Sequence, residues 1–295
     1  MTLYDAMMNA ADPSQVEGLS RFFKCGPGEY GEGDKFLGIK VPVTRSIVKS
    51  FWRGMDRDEL ERCISSEYHE LRLAALLALV EIFSNAGQSS RRRSLGGRAC
   101  HPGQGVCSSG QGVCSSGRGV CHSEQGVCHS EQGEESIRRS CIDFYLSHID
   151  RINNWDLVDL SCYPLLGEWL LDKDRGLLYD LARSGRTLWE QRIGIVSTMT
   201  FIRHGQLSDT FAIADILLHH PHDLIHKAVG WLLRETGKRN QAALETFLQG
   251  SQGYRQTKPG EGFIPRYRQM PRTMLRYTIE KFPEPLRQQY LKGEL

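Results

Sequence analysis

The sequence predicts an all-α chain, an α-solenoid of HEAT-like antiparallel helix pairs, and three observations carry that expectation. Apolar residues recur three and four positions apart over successive stretches of about ten to eighteen residues, the period of a helix with one buried face. Gly, Pro, Asp or Ser closes each stretch, so the connections are short. No segment alternates apolar and polar residues as a half-buried strand would. Paired amphipathic helices joined in series are the pattern of a stacked-helix repeat, here too degenerate to align by eye. With 295 residues, 40% of them hydrophobic, the chain is long enough to bury a continuous core, and it is read as one domain spanning 1–295.

Taken in order, the N-terminal text MTLYDAMMNAADPSQ lacks the basic, apolar and small-residue succession of a signal peptide. No apolar run is long enough to span a bilayer, so a cytoplasmic location without membrane association is expected. LRLAALLALVEIF (71–83) reads as a compact buried helix, and CIDFYLSHIDRI (141–152) resumes the same pattern. Between them, at about 85–139, a low-complexity Cys/Gly/Ser segment interrupts the domain. It repeats GQGVCSS-like text every seven residues and holds Cys100, Cys107, Cys114, Cys121 and Cys128. Its glycines disfavour helix by about 1 kcal/mol each, and it has almost nothing aliphatic to bury, so it is expected to be a disordered insertion in a helix–helix loop. Evenly spaced thiols lack the close ligand pairs of a zinc site, and the other four cysteines are scattered, as reduced thiols are. No metal site and no cofactor are expected. Helical periodicity then continues through GRTLWEQRIGIVSTMTFIRHG, LSDTFAIADILLHH, HDLIHKAVGWLLRETGKRN, QAALETFLQG and MPRTMLRYTIEKF.

Four places on these helices carry residues with chemical potential. Trp155 and Asp159 lie four apart and share a face, with Asp156 turned away. The plainer alternative packs Trp155 in the core and has Asp159 either cap a helix or pair with a neighbouring arginine. Trp189 and Arg192 are three apart, which sets a guanidinium beside an indole or makes an ordinary surface stack. Lys227 and Trp231 are four apart, with Gly230 thinning the helix where a backbone or a ligand can approach. Arg272 and Arg276 form a positive stripe near Lys281, after the basic text PRYRQ, suited either to phosphate oxygens or to plain solvation. A net charge of +2 does not by itself point to nucleic acid. The stretch from Arg234 to Lys281 does stand out, with seven Arg and three Lys against four Glu.

KFLGIKVPVTR (35–45), WDLVD (155–159), LWEQR (188–192), LIHKAVGW (224–231) and MPRTMLRYTIEKF (270–282) resemble, in this order, the AlkD-like DNA alkylation repair family. The resemblance implies a curved stack of HEAT-like helix pairs whose concave face holds double-stranded DNA. It also implies a glycosylase of base excision repair, hydrolysing the N-glycosidic bond of cationic purines such as 3-methyladenine and 7-methylguanine. Position by position, it places the catalytic aspartate at Asp159 with Trp155 beside it. The DNA-contacting arginine falls on Arg192 and a second cleft tryptophan on Trp231. Trp189, Lys227, Arg272 and Arg276 are expected to join the DNA surface. The family's first-repeat aromatic, often a tyrosine, matches Phe22, with Phe23 or Tyr30 as alternatives.

The chemistry suits those residue types. A purine alkylated on a ring nitrogen is already cationic and leaves without a general acid, so one carboxylate suffices where glycosidases use two. Positive charge developing on the deoxyribose would be met by Asp159, and the tryptophan faces would favour a cation by about 0.5–2 kcal/mol each. Such a family works without flipping the base into a closed pocket, so tolerance of bulky adducts is expected. The protein would act as a monomer with no obligate protein partner. The competing expectation is a non-catalytic HEAT-like module that binds DNA structure or another protein. Asp159 discriminates between them, because a surface that only grips anionic DNA gains nothing from a carboxylate.

Overall fold

The computed structural model describes residues 1–86, 124–250 and 264–295, and among them the regular elements are all helices, with a long turn-rich stretch at 23–40 and one isolated β-bridge between Lys35 and Tyr68. The chain runs α1 (Leu3–Asn9), α2 (Pro13–Phe22), α3 (Val41–Phe51), α4 (Arg57–Ile64), α5 (His69–Ala86) and α6 (Glu124–Ser147). It continues through α7 (Trp155–Cys162), α8 (Gly176–Ser184), α9 (Leu188–Val196), α10 (Met199–Arg203), α11 (Ser208–Ile216) and α12 (Asp223–Arg239). The last helices are α13 (Gln241–Gln249), α14 (Arg266–Gln269), α15 (Arg272–Thr278) and α16 (Glu284–Lys292).

Side-chain caps set several of the starts. Thr2 and Asp5 form a reciprocal capping box on α1, Asp12 caps α2 with Pro13 following, and Asp56, Thr187 and Asn240 accept from the first turns of α4, α9 and α13. The Ala/Leu-rich α5 is apolar on all sides, and Leu71 through Leu79 except Arg72 are buried hydrophobics. It packs against α1, α3, α4, α6 and α7. Further along, α9 packs against α7, α8 and α12, and α12 against α13 and α15.

Two boundaries differ from the sequence reading. The stretch expected as one helix at GRTLWEQRIGIVSTMTFIRHG breaks into α9 and α10. Ser197 and Thr198 donate their hydroxyls back to the Ile193 and Ile195 carbonyls, each at 2.7 Å, a local competition that interrupts the helix. The segment expected as a disordered insertion at about 85–139 is helical where it is described. Asn85 and Ala86 end α5, and 124–139 belong to α6. There the Glu/Arg-rich text from Glu134 to Arg139 extends the amphipathic run of Cys141–Tyr145, so helix propensity outweighs the nearby glycine. The rest of that segment, with Cys100, Cys107, Cys114 and Cys121, lies outside the described residues.

Candidate active site

Asp159 sits one turn into α7, and the turn begins with Asn154, whose side chain accepts from the Trp155 amide at 2.8 Å. Across from it, α9 supplies Arg192. Its Nε donates to Asp159 Oδ1 at 2.8 Å and its Nη2 to Oδ2 at 2.7 Å, a bidentate fork that spans 33 residues of sequence. The remaining Nη1 donates to the Leu224 carbonyl at 2.6 Å, in the first turn of α12. One guanidinium therefore joins three helices. Burial raises the Asp159 carboxyl above its ordinary value, Arg192 pulls it down, and Asp156 adds to the rise.

Two of the residues expected at the DNA surface are buried. Arg192 is 5% exposed with its donors turned to Asp159 and Leu224, so it faces the carboxylate rather than a phosphate. Trp189, one turn before it, is 7% exposed and packs in the core.

Aromatic rings surround the half-buried Trp155. Phe23 stacks on it at 5.4 Å and Phe22 meets it edge-on at 5.8 Å. Phe22 is 61% exposed, so one ring of this cluster is open to solvent. Tyr30 meets Trp189 edge-on at 5.8 Å, and burial raises its phenol pKa while the neighbouring Trp155 side chain opposes the rise. Of the three candidates for the first-repeat aromatic, Phe22 and Phe23 thus meet the Trp155 ring, while Tyr30 meets the ring of Trp189.

On α12, Lys227 Nζ pairs with Asp223 Oδ2 at 2.7 Å, and that hydrogen bond holds the ammonium pKa above its ordinary value. The phenols of Tyr277 and Tyr30 are close enough to act on it too. Trp231, one turn further on, is half-buried against the core. At Gly230 the close neighbour is another backbone. A Cβ there would stand 2.5 Å from Tyr277 Cβ and 2.7 Å from the Met274 carbonyl, so the missing side chain lets α15 lie against α12.

The basic C-terminal text divides. Arg276 is exposed, and so is Arg272, although its Nη1 donates to the Leu291 carbonyl at 2.7 Å. Of the two arginines of PRYRQ, Arg266 turns inward and forks onto Asp215 at 2.6 and 2.8 Å, while Arg268 stays exposed and bonds the Tyr267 hydroxyl and the Gly293 carbonyl. Arg234 and Lys281 pair with Glu280. Part of the local positive charge is therefore paired with carboxylates, within the fold at Arg266 and at the surface at Lys281.

Sequence reasoning passed over the support behind Trp155. His69 is bracketed by Asp34 and Asp156, and Arg72 bonds Asp34 and Asn153. Glu70 accepts from three successive amides, Leu37, Gly38 and Ile39, at 2.9, 2.9 and 3.1 Å, pinning the loop before α3. These partners lie tens of residues apart, and only a buried Glu–Leu–Arg run beginning α5 hinted at them. Among the described residues, no group of three or more His, Cys, Asp or Glu side chains is arranged to hold a metal ion. No helix among them is long and apolar enough to cross a membrane.

Asp159, forked by Arg192, thus lies one turn along α7 from the ring-contacted Trp155. The family described as DNA alkylation repair enzyme matches residues 3–93 and 126–282, and the chain belongs to that family. Among solved structures, it is similar to one described as a predicted DNA alkylation repair enzyme from Enterococcus faecalis, with 13% identity and a TM-score of 0.57. That match covers 93% of this chain and 97% of the other, and at this identity it speaks for the fold. No curated protein matches the chain.

Proposed function

We propose that this protein is a monofunctional DNA glycosylase that releases N3- and N7-alkylated purines from duplex DNA, acting from one domain of stacked HEAT-like helix pairs. The observation that carries the proposal is the Asp159–Arg192 fork beside Trp155. A carboxylate has about four lone-pair sites, and the fork occupies one on each oxygen. The others are free to orient a water and to face the positive charge that develops on the sugar as the bond breaks. The leaving base is already cationic, so no second acid is required.

Roles follow from placement. Asp159 meets the developing charge, and Arg192 fixes both carboxylate oxygens. Trp155 and Trp231 offer ring faces to the cationic nucleotide. Exposed Phe22 lies against the duplex beside Trp155, and Trp189 supports Tyr30 from within the core. Lys227, Arg272 and Arg276 hold phosphates.

The test is release of free base from duplex DNA containing 7-methylguanine, comparing the wild type with Asp159→Asn at matched salt. Release should fall by roughly a hundredfold or more while DNA affinity stays within about threefold. The second reading, a DNA-binding module without catalysis, draws on the same fork, since bidentate pairs also serve purely structural ends. It predicts binding by both proteins and release by neither.

A further inference from the structure

Behind Trp155 lies a set of ionisable side chains that the reaction above does not use. His69, first residue of α5, is 1% exposed. Its Nδ1 is 3.1 Å from Asp34 Oδ2 and its Nε2 is 2.9 Å from Asp156 Oδ2. A neutral imidazole has one N–H and would satisfy only one carboxylate, leaving a lone pair against the other anion. Both contacts are attractive together only for the imidazolium. Burial opposes that charge, yet the two carboxylates outweigh it and push the imidazole pKa up to about 9.

The clamp is tied to the proposed site by two routes. Asp156 is the residue after Trp155, and its Oδ1 accepts from the Leu157 amide at 2.9 Å, bracing the first turn of α7. Asp34 Oδ1 accepts from Arg72 Nη2 at 2.7 Å and from Asn153 Nδ2 at 2.8 Å, so the chain entering α7 is held as well. The second route runs through the rings. Phe36 and Phe23 cover the imidazole at 4.9 and 4.7 Å, and Phe23 in turn stacks on Trp155.

We propose that His69 is a positioning residue: as an imidazolium clamped between Asp34 and Asp156, it fixes the plane of Trp155 and the α7 turn that presents Asp159. Its effect on rate rests on the glycosylase reading, while its effect on Trp155 does not. The charged groups facing the imidazole are Asp34, Asp156 and, one turn along α5, Arg72. Cys25 and Tyr30 lie nearby and titrate in alkali, Cys25 near 11 with burial the main cause and Tyr30 above its ordinary value for the same reason.

The experiment uses the full chain between about pH 7 and 10. Trp155 is followed by near-ultraviolet circular dichroism, as the difference between the protein and its Trp155→Phe variant, alongside single-turnover release of 7-methylguanine. The Trp155 signal is expected to titrate with a midpoint near 9. His69→Gln removes that titration, whereas alkaline steps belonging to Cys25 or Tyr30 persist. Release slows by roughly tenfold across the transition with DNA affinity changed less than about threefold, a loss in the chemical step rather than in binding. Asp34→Asn, which removes one of the two anions, moves the midpoint down by about one unit or more and serves where His69→Gln does not fold. A Trp155 signal that is flat over this range, or that titrates identically in His69→Gln, overturns the proposal. A His69-dependent titration with no base release from the wild type leaves the positioning intact and removes the glycosylase reading instead.

Discussion

The carboxylate of Asp159 and the guanidinium of Arg192 depend on each other for opposite reasons. Buried without its partner, Asp159 takes up a proton more readily, since burial already raises its pKa and Arg192 opposes the rise. Arg192→Met is therefore expected to shift the acid limb of base release toward neutral pH and to cost about 3–5 kcal/mol of stability, read by denaturant unfolding. The salt dependence of DNA binding should be unchanged, because the guanidinium faces the carboxylate. At His69 the sign runs the other way. A folded value near 9 lies above the unfolded value of about 6.5, so the stabilisation is complete below about 6.5 and is lost as pH rises through 9. The thermal midpoint should fall between about pH 7 and 10, and His69→Gln should flatten that slope. At this scale the sequence was half legible. The four-residue spacing of Trp155 and Asp159 puts both on one helix turn without further information. The fork from Arg192, 33 residues on, and the His69 clamp, with partners 35 residues before and 87 after, exist only once the helices pack.

Among the elements, the seam between α12 and α15 is the most sensitive. Gly230→Ala would drive a methyl group against the Tyr277 Cβ and the Met274 carbonyl, backbone that cannot yield as a side-chain tip would. A loss of about 1–3 kcal/mol is expected in chemical denaturation, with weaker DNA binding because Lys227 and Arg276 sit on the two separated helices. Helix identity was readable because long amphipathic runs carry their own period. The break between α9 and α10 was not, since it turns on Ser197 and Thr198 bonding to carbonyls of the preceding turn. The limits of the Cys/Gly/Ser segment were misjudged because composition marks where glycine accumulates. Where α6 begins depends on how far a neighbouring amphipathic helix carries upstream.

For the whole molecule, net charge is a poor guide to its grip on DNA. Arg234, Arg266 and Lys281 pair with Glu280 and Asp215, and the half-exposed Lys227 pairs with Asp223, so the exposed Arg276 and, in the proposed cleft, Lys227 are the informative positions. Lys227→Met or Arg276→Ala should each reduce the slope of log affinity against log salt by about 1, measured by fluorescence anisotropy on undamaged duplex. The family match lies on both sides of the Cys/Gly/Ser segment, and the proposed site likewise draws on Phe22 before it and on Trp155 and Asp159 after it. The fork at Asp159 also bears on how such a surface searches. An unpaired carboxylate would repel every phosphate it passed and slow each encounter, whereas a carboxylate already neutralised by its guanidinium is electrically quiet to intact DNA. On the proposed reading, the protein can travel over normal sequence without friction from its own catalytic charge, and that charge makes itself felt only when a positively charged nucleotide arrives beside it.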